Sequence, residues 1–165
     1  MKRTLVPVVA AVAVLAAPLG IGAPAAGEVN VTTPRAAVAR SFTLVTSGDI
    51  LLHERTWNQA GRDGRNGRLN FDPQFADVKP IIAGADIALC HLETPIAKQG
   101  TGYRGYPMFN VPPQIIGTIK RTGFDMCGTA SNHSFDAGAA GIKRTLNALD
   151  NAGIKHTGSA RSRSE

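Results

Sequence analysis

Asn132, His133 and Asp136 lie in one short polar stretch, directly after a run of mostly small and apolar residues at 125–129. An amide, an imidazole and a carboxylate so spaced can hold a divalent cation, carry a proton or orient one another. Two earlier runs end in a similar way. Residues 41–47 read as a strand closing in Gly48-Asp49, and residues 85–91 as a strand followed by Leu92-Glu93. Successive strand ends would therefore deliver Asp49, Glu93 and the Asn132–His133 pair to one side of a sheet, the edge where open α/β sheets bind ligands. Hard oxygens with imidazole there predict a divalent-metal or acid–base site. A metal so held would acidify a water and polarise a phosphoryl or carbonyl oxygen. Taken singly, each residue has a plainer use: a strand-end Asp caps helices, and a lone His is often simply hydrogen-bonded.

The elements that must position these groups alternate. Residues 54–70 read as a short helix giving way to a Gly/Arg-rich loop. Asp72-Pro73 is a helix start, with Asp as the cap and Pro in the first turn. Phe75, Val78, Ile81 and Ile82 would then face the core, with Pro80 kinking or restarting the helix. Residues 99–113, with Tyr103, Tyr106 and Phe109, read as a long surface loop that shapes a cleft or packs on the sheet edge. Pro113 opens a helix with Ile115, Ile116 and Ile119 on its apolar face and Gly123 as its stop. Gly138 opens another, with Ile142, Leu146 and Leu149 on one face and Gly153 as its stop. Residues 154–157 read as a fourth strand. Strands alternating with helices predict an α/β fold, a largely parallel sheet covered by helices. A final strand with no helix after it is an exposed edge, so the sheet reads as incomplete at its C-terminus and the chain as an N-terminal fragment.

Composition narrows the class. Lys2 and Arg3 precede an apolar run at 5–19, and Ala23-Pro24-Ala25 fits a small-x-small cleavage site, so residues 1–25 read as a secretory signal peptide. An uncleaved membrane anchor is the other reading, which Pro7, Pro18 and Gly20 oppose. Residues 26–40 read as a linker and 41–165 as the domain, giving an exported, extracellular or cell-surface protein. Of the formal charge of +6, Lys2 and Arg3 account for 2, leaving +4. Arg55, Arg62, Arg65 and Arg68 lie among glycines, a basic loop that could meet an anionic wall polymer or a phosphate group, or could be only a solvated face. Nucleic acid is excluded as a partner, because the basic residues are not interleaved with stacking aromatics. Cys90 and Cys127 fall inside predicted strands. A disulfide is conceivable in an exported chain, but neither cysteine lies in a loop that needs stapling, and both read as small buried core residues.

The ordered motifs Gly48-Asp49-Ile50-Leu51-Leu52, Ala85-Asp86, His91-Leu92-Glu93-Thr94-Pro95, Gly123-Phe124-Asp125, Ser131-Asn132-His133 and Asp136-Ala137-Gly138 resemble the CapA bacterial capsule-synthesis family. The resemblance implies a calcineurin-like metallophosphatase fold and a role in poly-γ-glutamate production. It also implies divalent metal ions and metal-dependent, phosphoesterase-like hydrolysis. Asp49, Glu93 and Asn132 would be metal ligands, His133 would contact substrate or protonate a leaving group, and Asp136 would orient His133 or cap the helix. Departures are visible: the metallophosphatase Asp-x-His is absent, His53 being the nearest imidazole to Asp49, and His91 stands where the family usually has Asn. Both are further metal-ligand candidates. The later His-rich segment of the family is not in this sequence. Implied partners are poly-γ-glutamate or a similar anionic polymer and membrane synthase subunits. The rival expectations are a non-catalytic accessory binding polymer or synthase, and a generic secreted metallophosphoesterase.

Overall fold

The computed structural model describes residues 40–165. The signal peptide expected at 1–25 and all but the last residue of the expected linker lie outside them. In chain order the elements are β1 (Leu44–Ile50), α1 (Glu54–Asp63), α2 (Asp72–Phe75), α3 (Lys79–Ala83), β2 (Ile87–Leu92), α4 (Gln114–Thr122), β3 (Met126–Gly128), α5 (Gly138–Asn151) and β4 (Lys155–Thr157). The strands form a four-stranded sheet in sequence order, every neighbouring pair parallel. The expected α/β architecture, a parallel sheet with helical connections, is what the chain forms. No helix among the described residues is long and apolar enough to cross a membrane.

Side-chain alternation sorts the sheet into two faces. Ala88, Cys90 and Leu92 of β2 are buried, whereas their neighbour Ile87 is 40% exposed and pairs with Leu44, 52% exposed. The buried face shares a core with Ile115 and Ile119 of α4 and with Leu146 and Leu149 of α5. Helix α5 presents Ile142, Leu146 and Leu149 at helical spacing, the last two fully enclosed; such side chains contribute about 1.5–3 kcal/mol each. Helix α4 stops at Gly123, which takes φ 111° and caps the carbonyls of Ile119 and Lys120. Only a residue without Cβ adopts that backbone cheaply.

Several expectations need correction. Strand β1 runs on through Gly48-Asp49 to Ile50, because Asp49 and Ile50 pair with His91 and Leu92 beyond a register shift after Thr46. Asp72 makes no side-chain cap; its carboxylate instead accepts from Arg121 Nε at 2.8 Å, Arg121 Nη2 at 2.7 Å and Thr118 Oγ1 at 2.6 Å, joining α2 to α4. Arg121 holds the Asp72 carboxyl below the usual carboxylate range. Val78 and Ile81 do not reach the core: they are 44% and 64% exposed. With Pro80 restarting the chain as the short helix α3, they line an open apolar groove of about 490 Å³ beside β1. The aromatic loop is not wholly a surface element. It closes on itself through Ile96–Val111 and Arg104–Asn110 bridges, burying Phe109 and Val111.

The cysteines are the largest departure. Parallel pairing sets Cys90 directly opposite Cys127 in β2 and β3, their Cα atoms 4.4 Å apart, and the two sulfurs are bonded. That separation lies at the close end of disulfide geometry. They are core residues, as expected, but not free ones.

Candidate active site at the strand ends

The C-terminal ends of β1, β2 and β3 lie side by side because their registers agree: Asp49 pairs with His91, and His91 with Gly128. His91 sits in the middle of that row. Its Nδ1 lies 2.5 Å from Asp49 Oδ1 and its Nε2 lies 3.1 Å from the Ala130 carbonyl oxygen. Both partners only accept, so both ring nitrogens donate. The Asp49 hydrogen bond accordingly raises the His91 pKa, against partial desolvation and with a smaller contribution from Ala130. His91 therefore ties β2 to the start of the turn after β3.

That turn is built from its own polar side chains. Ser134 Oγ donates to Thr129 O at 2.6 Å and accepts from Ser131 N–H at 2.8 Å, while His133 N–H donates to Ser131 Oγ at 3.1 Å. The turn presents His133 with its Nδ1 2.7 Å from Asp136 Oδ2. The same Asp136 oxygen accepts the Phe109 N–H at 2.7 Å, so the carboxylate is fixed from two sides and orients the imidazole. Asp136 does not cap α5, whose N-cap is Ala137. The Phe109 ring packs edge-on against His133, with centroids 4.6 Å apart, and against His53 at 5.3 Å. Phe109 thus brings His53, at the N-terminus of α1, to the same place as His133. Sequence reasoning did not single out Phe109 for the site. Its one signal is a large aromatic inside a Gly-rich loop.

The expected site residues therefore divide. Asp49 pairs with His91, and His133 with Asp136. His53 stands across Phe109 from His133, Asn132 is exposed at the tip of the turn, and Glu93 is buried. Carboxylate, amide and imidazole are suitable donors for a divalent cation, and Asp49 and Asn132 are open to solvent. Among the described residues, however, no three His, Cys, Asp or Glu side chains are grouped closely enough to form a metal centre. The donor types fit a metal; the grouping seen here does not complete a site for one.

A four-stranded parallel α/β sheet, with a carboxylate–imidazole pair on the turn after its third strand, is consistent with a metallophosphatase-like α/β fold. The chain belongs to the family of the bacterial capsule synthesis protein PGA_cap, whose model matches residues 43–165. It is similar to two proteins of Sinorhizobium fredii (strain NBRC 101917 / NGR234), the uncharacterized proteins y4sH and y4uA. It is 31% and 30% identical to them over 146 residues, covering 84% of this chain. The chain spans 29% of the length of each of these relatives. Family membership connects it with capsule synthesis.

Proposed function

We propose that this protein acts outside the cytoplasm on an anionic capsular polymer, poly-γ-glutamate or a chemically similar chain, and that it hydrolyses a bond through the strand-end site. The observation that carries this reading is the His133–Asp136 pair. Asp136 Oδ2 lies 2.7 Å from Nδ1, and as a carboxylate it accepts there, which leaves Nε2 to hold or deliver a proton at the bond being broken. Phe109 and the surrounding turn fix the ring and keep one side of it dry.

Asp49, Asn132 and His53 offer donor types that a divalent cation takes, and such a cation would supply Lewis acidity and an acidified water; with both His91 ring nitrogens engaged, they do not close a site among the described residues. Arg55 and Arg62, two helical turns apart on α1, continue into exposed Arg65 and Arg68. The helix starts at His53 beside the site, so this basic strip gives a polyanion a path toward it. The Cys90–Cys127 disulfide supports export, because such bonds persist in oxidising compartments.

A second reading, a binding accessory without catalysis, is favoured by the ungrouped metal donors. The test is equilibrium binding of poly-γ-glutamate at rising salt, with a neutral glucan as control. The proposal expects binding that weakens with salt and falls further when Arg55, Arg62, Arg65 and Arg68 are changed to Ser. Equal binding of the neutral glucan would remove the polyanion reading.

A further inference from the structure

Glu93 follows the end of β2 and its charge is felt at His91, but it makes no hydrogen bond to the strand-end groups. It is 8% exposed, and its Oε2 is enclosed without a hydrogen-bond partner. Thr94, 1% exposed, carries a second enclosed group without a partner, Oγ1. Both line a cavity of about 10 Å³ together with Thr129, Ser134 and Ser159, whereas Asp49, His91 and Asn132 do not line it.

The neighbouring hydroxyls cannot satisfy the carboxylate. Ser134 Oγ and Ser159 Oγ both donate to the Thr129 carbonyl, at 2.6 and 2.8 Å. Thr129 Oγ1 donates to the Thr157 carbonyl at 3.0 Å. A hydroxyl has one proton, so these residues have only acceptor capacity left. What is missing is a small group that donates to Glu93, accepts from Thr94 and gives a second proton to a serine oxygen. Water has that valence. It needs roughly 10–15 Å³ and two to four polar partners, and this cavity meets the lower volume bound.

We propose that the cavity between the β2 end, the Ser134 turn and Ser159 is the seat of one structural water, bound by Glu93 Oε2 and the Thr94 hydroxyl. Glu93 then serves this water and not a strand-end metal. The water joins the second strand to the turn that carries His133.

Two measurements test this together. A high-resolution crystal structure of the protein should show a single peak in the cavity, at hydrogen-bond distance from Glu93 Oε2 and Thr94 Oγ1. An empty cavity overturns the proposal, and so does a peak at the shorter distances of a coordinated cation. Melting temperatures of Glu93→Met, Thr94→Val and the double variant form the second test, since the two side chains make no hydrogen bond to each other and the water would couple them. Each single change should lower the melting temperature, and the double variant should melt no lower than the worse single one. Strictly additive shifts would contradict the shared water.

Discussion

Reducing Cys90–Cys127 is the perturbation with the best-defined consequence. The bond closes a loop of sequence separation 37 between the two central strands. Chain-entropy theory assigns such a loop about 13 cal/mol/K, or about 3.8 kcal/mol at 25 °C. For a domain of this size each kcal/mol moves the melting temperature by about 3–5 °C, so reduction should lower it by about 10–20 °C. Cys90 is 4% exposed and Cys127 fully enclosed, so reductant will reach the bond mainly through opening. The protein should therefore be reduced while unfolded and refolded in reductant, with both free thiols confirmed by labelling under denaturing conditions. Thermal unfolding followed by circular dichroism then compares the two forms. The reasoning is refuted if the dithiol form, with both thiols labelled, melts within about 2 °C of the oxidised form.

Other consequences are smaller. Asp72 is bidentate to Arg121, but both side chains are about half exposed, at 45% and 56%. Asp72→Asn should therefore cost only about 0.5–1 kcal/mol at neutral pH. Because folding lowers the Asp72 pKa, its contribution is present above the unfolded value of about 3.9 and fades as pH falls through the folded value. Urea midpoints of the two proteins should converge in acid, and a gap that widens there would be contrary. Gly123→Ala forces a Cβ onto a φ of 111° and to 3.0 Å from Ala83 Cα. It should cost about 1–3 kcal/mol, read as a lower denaturant midpoint at unchanged slope; an unchanged midpoint would show that the backbone there can relax.

Much of the fold is legible because its signals are local. Alternating strands and helices, the apolar stripe Ile142, Leu146 and Leu149, and the stops at Gly123 and Gly153 need only neighbouring residues. The disulfide is not local: only the parallel register of β2 and β3 sets Cys90 against Cys127. Asp72 reads as a cap from its neighbours, but Arg121, far along the chain, competes for its carboxylate and wins. The site follows the same division. Asn132, His133 and Asp136 are contiguous in sequence and visible. Phe109 enters only when its loop folds back through the Asn110–Arg104 bridge. The fate of Glu93 depends on which hydroxyls surround it, and no spacing in the sequence encodes that.

The most direct test of the central claim is the chain length of poly-γ-glutamate incubated with the protein and Mn²⁺, followed by size-exclusion chromatography with light scattering. His133→Ala runs in parallel. The proposal predicts that the polymer shortens, and that His133→Ala abolishes shortening while retaining polymer binding. Shortening at an equal rate in His133→Ala would contradict the assigned role of His133. Polymer that binds without shortening would contradict hydrolysis and leave the binding accessory as the function.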